Sequence, residues 1–266
     1  MNDDLENIAN WSKDFGLQIN PAKSQVIIIG SPFFISRVKW AQLPGVYLDG
    51  VALALNKTVK NLGVFFDQTF SWGHHVKEIS RKLYAASFTL KRLSNFLPIR
   101  TKTMLAQSLL LPILDYADSC SSDLNEELLD KIERLQNFCI RFIFGLRKYD
   151  HVSKFRRQLG WLPIRFRRHA HLLQLLYSIL FNPNTPSYLK NHFKFLGPSN
   201  YMLRSSNRCL LEIPSHTSSF LGNSFTISAI KLWNTLPDSV RLATSLSSFK
   251  TLLYSHFLTL SYPDQS

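Results

Sequence analysis

Residues 72–97 read Trp-Gly-His-His-Val-Lys-Glu-Ile-Ser-Arg-Lys-Leu-Tyr-Ala-Ala-Ser-Phe-Thr-Leu-Lys-Arg-Leu-Ser-Asn-Phe-Leu. The apolar positions Val76, Ile79, Leu83, Ala86, Leu90, Leu93 and Leu97 alternate spacings of three and four. That period draws one apolar stripe along a helix and predicts its burial against other helices. Lys77, Arg81, Lys82, Lys91 and Arg92 fall off the stripe and face outward. Downstream, Thr101 is placed to cap a second helix through about Ser119, with a kink at Pro112. A third starts near Ser122 or Asp123, sets Leu128, Ile132, Leu135, Cys139 and Phe142 on one face, and stops at Gly145. Three such helices in succession predict a small bundle.

The flanks extend this reading. Asp3–Phe15 reads as a helix with Leu5, Ile8 and Trp11 on its apolar face, ended by Gly16. Leu17–Ile19 and Val26–Ile29 read as strands, the second buried on both faces because it is a continuous β-branched run. Residues 31–58, with Pro32, Pro44 and Gly45, read as loop and short hairpin strands. Val59–Phe66 is a strand interrupted by Gly63. Beyond the bundle, Pro163 suits the first turn of a helix to about Phe181. Residues 183–222 read as irregular, with short strands near Leu203–Ile213. Two closing helices, 224–235 and 246–260, are joined through Leu236-Pro237-Asp238. The expected fold is α+β, mostly α, in three parts: 1–70, 71–146 and 147–266.

Composition narrows the function. In 266 residues, 45% apolar and 13% aromatic, there is enough apolar surface for a core, which excludes a disordered chain. Lys plus Arg number 31 against 18 acids, for a net charge of +13, so an anionic partner is expected. Cys120, Cys139 and Cys209 are distant and odd in number, which argues against a disulfide framework or a zinc finger. An acidic, polar start and the absence of long apolar runs predict a soluble protein of cytoplasm or nucleus with no membrane partner.

The basic excess concentrates in 141–171, which holds Arg141, Arg147, Lys148, Lys154, Arg156, Arg157, Arg165, Arg167 and Arg168 with Asp150 as its only acid. Phe142, Phe144, Phe155, Trp161 and Phe166 interleave with these charges. Phosphate contact with base stacking is one use of such a block; core packing of the aromatics is the other. If six to eight phosphates were neutralised, affinity would fall by roughly 10³ or more between 50 and 200 mM salt.

Several stretches, in order, resemble one family. They are Trp11-Ser-Lys-Asp-Phe-Gly-Leu-Gln-Ile-Asn-Pro-Ala-Lys23, Val59-Lys-Asn-Leu-Gly-Val-Phe-Phe-Asp67, Leu111-Pro-Ile-Leu-Asp-Tyr116, Leu135-Gln-Asn137, Trp161-Leu-Pro-Ile-Arg165, Pro186-Ser-Tyr-Leu189 and Leu232-Trp-Asn-Thr-Leu-Pro237. Together they look like the C-terminal half of reverse transcriptases of non-LTR retrotransposons of the jockey-like kind. The resemblance implies that residues 1–70 are the end of a polymerase palm and that 71–146 form a thumb. Residues 147–266 would then be a basic helical extension. It implies that Lys23 stands where a lysine approaches the incoming nucleotide's phosphates, and that Leu62 and Gly63 sit on the primer grip. The partners it implies are RNA or RNA–DNA duplex, without sequence preference, and the upstream polymerase half. For nucleic-acid contact it leaves Lys77, Arg81, Arg147, Lys148, Lys154, Arg156, Arg157, Arg165, Arg167 and Arg168 as candidates beside Leu62 and Gly63.

The family's catalytic Ala-Asp-Asp hairpin precedes the first residue of this sequence. Nucleotidyl transfer needs two or three carboxylates converging on paired Mg²⁺ ions. The complete enzyme would use Mg²⁺, whereas no cofactor and no metal site are expected for this chain. Tyr116-Ala-Asp-Ser119 copies three letters of the hairpin but ends a helical pattern, so Asp115 and Asp118 read as solvated or capping residues. Asp3-Asp4 reads as an acidic first helical turn. His74-His75 and the pair His169 and His171 have poor ligand spacing on a helix, and no acid stands at partner spacing. The expected outcome is a polymerase-derived fragment that binds nucleic acid and does not extend primers alone. The alternative is a domesticated helical interaction module.

Overall fold

A computed structural model describes residues 1–197 and 209–263. The chain divides into two units, Met1–Glu78 and Ile79–Ser266. The first holds helices α1 (Asn2–Asp14) and α2 (Pro32–Arg37) and strands β1 (Val46–Leu48), β2 (Val51–Leu53), β3 (Thr58–Asn61) and β4 (Val64–Asp67). Helix α3 (Gly73–Lys91) starts in the first unit and ends in the second.

In the first unit, β1–β2 and β3–β4 are separate antiparallel hairpins. Each turns on two residues of positive φ, Asp49 with Gly50 and Leu62 with Gly63. Positive φ at both centres gives the turn whose twist matches that of paired strands. The Val59–Phe66 reading therefore becomes a hairpin, with Gly63 at its tip. The α1 reading needs correction. Ile8 and Trp11 are more than half exposed, and α1 instead buries Ala9 and Ser12. Asn2 holds α1 to the first hairpin, donating to the Gly45 carbonyl at 3.1 Å and accepting from the Tyr47 amide at 3.2 Å. Small residues on that face let the hairpin approach.

The expected strands Leu17–Ile19 and Val26–Ile29 are absent. Val26 forms one isolated bridge to Leu55, and Ile29 is exposed. The segment is tied instead by single bonds, Asn56 N–H to the Val26 carbonyl at 2.8 Å and Gly30 N–H to the Gln68 carbonyl at 2.9 Å. Asp67 caps the entry to α3. Its carboxylate accepts from Ser71 and Thr69, and these bonds outweigh burial to hold its pKa below the usual value.

The second unit carries α4 (Ile99–Leu105), α5 (Leu111–Asp115), α6 (Glu126–Phe144), α7 (Ser153–Gln158) and α8 (Ile164–Phe181). After them come α9 (Ser187–Lys190), α10 (Ser219–Gly222), α11 (Phe225–Thr235), α12 (Asp238–Arg241) and α13 (Leu246–Ser261). In the α3 stripe Val76, Ile79, Leu83 and Leu90 are buried as read and Ala86 is half-buried, but the helix stops at Lys91 and Leu93 is exposed. Thr101 lies inside α4 and caps nothing; Pro98 precedes the helix. Before Pro112 the chain widens into a π-turn, Ala106–Leu110. Proline has no N–H to give and its ring crowds the carbonyl four residues back, so a wide turn relieves the clash. Helix α6 begins later than read, capped by Asn125, whose Oδ1 accepts from the Leu128 amide at 2.9 Å. It ends at Gly145 with φ +67°.

A second core lies among α8, α11 and α13. Tyr177 stacks on Phe249 at 4.4 Å between ring centres, and Trp233 packs on Phe249 at 5.7 Å. Asn234 exchanges two bonds with the Leu211 backbone, and Trp233 Nε1 donates to the Cys209 carbonyl at 2.7 Å. The Leu232–Pro237 and Trp161–Arg165 motifs thus serve packing: Trp161, Leu162, Ile164, Trp233 and Leu236 are all buried. Of the Leu203–Ile213 reading, 203–208 lie outside the described residues. Leu211 forms a single bridge with Phe195. No described helix is long and apolar enough to cross a membrane. The fold is α+β and mostly helical.

Candidate nucleic-acid interface

Helical periodicity builds a groove in the second unit. Tyr84, Ser87 and Lys91 recur on one face of α3, and Arg134, Asn137, Phe138 and Arg141 on one face of α6. Lys102 of α4 closes one side, and Lys148, beyond the Gly145 turn, closes the other. The groove encloses about 720 Å³. Five cationic side chains line it and no carboxylate does. Among the described residues, Lys91, Lys102 and Arg134 form no ion pair. Arg141 is fixed by donating to the carbonyls of Arg147 and Asp150, both at 3.2 Å, and keeps its charge. Tyr84 is half exposed and packs edge-on against Phe138 at 5.3 Å. Cations spaced along a groove, with an aromatic face in its wall, can neutralise phosphates and stack a base. Lys102 and Arg134 were missed in the sequence because each is one basic residue on an ordinary amphipathic helix; only packing brings them together.

The basic block meets a different fate. Arg156 pairs with Glu133 and donates to Asn137 Oδ1 at 2.6 Å. Arg165 pairs with Glu126. Arg167 grips Asp115 with two nitrogens, Nε at 2.6 Å from Oδ1. Arg168 is buried and donates to the Asp118 carbonyl at 2.9 Å, the Ser121 carbonyl at 2.6 Å and Ser121 Oγ at 3.0 Å. Arg147, Lys148, Lys154 and Arg157 are exposed, as are Lys77 and Arg81 on α3. The aromatics of the block are packed inward: Phe142 and Trp161 are buried, Phe144 meets Phe155, and Phe166 meets Phe257. Lys23 is exposed on a short 3-10 turn, and Leu62 is exposed at the β3–β4 tip.

Asp118 is buried and Asp115 half-buried, whereas both read as solvated or capping residues in the sequence. Ala117 takes φ +52°, which ends the helical path and turns Asp118 inward to 6% exposure. Asp118 Oδ2 lies 2.6 Å from His171 Nδ1. One ligand atom each from Asp115, Asp118 and His171 falls within 4.8 Å of the others, so the argument from spacing against acid partners for the histidines does not hold. Arg167 on Asp115 and Arg168 beside Asp118 already supply the positive charge that the two carboxylates need.

His169, on the same helix, is held to a pKa of about 4 by burial, then by Arg165 and Arg168. A depressed histidine stabilises the fold fully above its unfolded value of 6.5, and that contribution is lost as pH falls towards the folded value. At most about 3 kcal/mol should therefore disappear between pH 6.5 and 4. Urea denaturation across that range should show the loss, and His169→Gln should flatten it.

The chain shares 25% identity over 185 residues, 64% of its length, with the "Probable RNA-directed DNA polymerase from transposon BS" of Drosophila melanogaster. It spans about a fifth of that relative, 20% of its length. No family model and no solved structure matches the chain. The sequence is thus similar to part of a transposon RNA-directed DNA polymerase, the relationship that the motifs pointed to.

Proposed function

We propose that this chain is the nucleic-acid-holding part of a reverse-transcriptase-type polymerase of a non-LTR retrotransposon. In this reading it grips RNA or RNA–DNA duplex without sequence preference. The observation that carries the proposal is the groove between α3, α4 and α6, with five cations and no carboxylate. The likeness to a transposon polymerase supports the same reading. Nucleotidyl transfer is assigned to other residues of the complete enzyme, because the acids that meet in the described residues, Asp115 and Asp118, are compensated by arginines. Lys23, Leu62 and Gly63 keep the nucleotide-side and primer-side roles that the resemblance implies, as part of this proposal.

The test is filter binding of a labelled RNA–DNA duplex against salt, with primer extension in Mg²⁺ alongside. Five neutralised phosphates correspond to a slope of about −4.5 in log affinity against log salt, or a loss of about 500-fold between 50 and 200 mM. No retention at 50 mM would favour a helical interaction module without a nucleic-acid role. Primer extension by this chain would overturn the assignment of chemistry elsewhere.

A further inference from the structure

The second unit holds another cavity, of about 270 Å³, where α8, α11 and the chain from Asp118 to Leu129 meet. Helical spacing again builds its walls. Arg165, Arg168, His169 and Leu172 share a face of α8, and Ser228, Lys231 and Leu232 share a face of α11. Ser119 and Ser122 add hydroxyls from the turn. Leu124 and Leu129 join the two helix leucines in an apolar wall.

Charge favours an anion here. Arg165, Arg168 and Lys231 face one lining carboxylate, Asp118, and that carboxylate is engaged by His171. Arg165 also has the exposed Glu126 beside it. Lys231 is exposed and forms no ion pair among the described residues. Arg168 is 8% exposed, and its three hydrogen bonds all leave from Nη2. Among the described residues, its Nη1 and Nε donate to nothing. Neither atom is sealed from solvent, so both stay open to an oxygen bound in the cavity. A guanidinium edge, an ammonium and three hydroxyls offer more donors than a two-oxygen carboxylate can use, and suit the three terminal oxygens of a phosphoryl group. The leucine wall has no use for inorganic phosphate but suits the organic part of a phosphate ester. The volume lies just below the usual range of small-molecule sites, which suits a ligand no larger than one nucleotide.

We infer that this cavity binds a phosphomonoester, supplied either by a free mononucleotide or by the 5′-phosphate end of a nucleic-acid strand. His169 reports on it: burial and its two arginine neighbours keep the ring neutral at ordinary pH, and a dianion beside it would reverse that bias.

The experiment titrates the full chain, in chloride buffer, with uridine 5′-monophosphate and with a short oligonucleotide carrying either a 5′-phosphate or a 5′-hydroxyl. Calorimetry is read together with the His169 ring signals by NMR. The expected results are saturable binding, an upward shift of the His169 titration, and at least tenfold weakening in Lys231→Gln/Ser228→Ala. A strand that binds tenfold tighter with its 5′-phosphate than without assigns the strand end; equal binding of the two strands, with tighter mononucleotide binding, assigns the free nucleotide. Neutralising Lys91, Lys102 and Arg134 should leave mononucleotide binding intact, which separates this site from the groove. An unmoved His169 titration, or binding indifferent to Lys231→Gln/Ser228→Ala, would overturn the inference.

Discussion

The triple substitution Lys91→Gln, Lys102→Gln, Arg134→Gln should weaken RNA–DNA duplex binding by about 10³-fold at 50 mM salt and leave the fold intact. The size follows from counterion release. Relative to 1 M salt, where that contribution vanishes, each neutralised phosphate multiplies affinity at 50 mM by about 15. Removing three of the five groove cations therefore removes about three such factors. The salt slope should drop with it, from about −4.5 to about −2. Stability should barely change, because none of the three forms an ion pair among the described residues and Lys91 and Arg134 are exposed. A parallel variant, Lys154→Gln with Arg147→Gln, removes exposed charge from outside the groove lining. Equal losses per charge removed, about 15-fold each in both variants, would mean that binding follows total charge, and the groove would have no special standing.

How far the sequence displayed this arrangement depends on the distance over which its partners act. The α3 stripe was legible because a 3.6-residue period is local, and Val76, Ile79, Leu83 and Leu90 are buried as the period requires. The end of α6 was legible for the same reason, since Gly145 takes the positive φ that a helix terminus favours. Residues 31–58 read as loop and short hairpin strands, and the β1–β2 hairpin is there; only its turn, Asp49-Gly50, was an available signal left unnamed. Val26–Ile29 failed because β-branching describes what a residue does once a strand is beside it, and here only Leu55 bridges to Val26. The arginines failed for a longer-range reason. Arg156, Arg165 and Arg167 meet acids 23, 39 and 52 positions away, and no local pattern reports such pairing. A run of basic residues next to aromatics looks like a phosphate-binding strip whether its charges face solvent or buried acids. The groove inverts this. Arg141 and Lys148 belong to that basic block, but Lys91, Lys102 and Arg134 come from α3, α4 and α6, where no local run of charge marks them.

Arg168→Ala should be the most destabilising of the changes considered, by about 3–5 kcal/mol. Arg168 is buried, and its Nη2 satisfies the Asp118 carbonyl, the Ser121 carbonyl and Ser121 Oγ. Truncation strands those acceptors and leaves the Asp118 carboxylate, 6% exposed, with His171 as its remaining close partner. A buried acceptor without a donor costs about 1–3 kcal/mol, and a buried charge that loses compensation costs more. Arg165→Ala on the same helix should cost less than about 1 kcal/mol, because both members of the Arg165–Glu126 pair are exposed and water replaces the partner. Urea titration gives both numbers, and an unchanged m-value would show that the native state is otherwise preserved. The double change Arg168→Leu with Asp118→Leu should recover part of the loss, since it removes the stranded charge together with its partner. Should Arg168→Ala cost no more than Arg165→Ala, the bonds from α8 to the 118–121 turn would contribute nothing to stability.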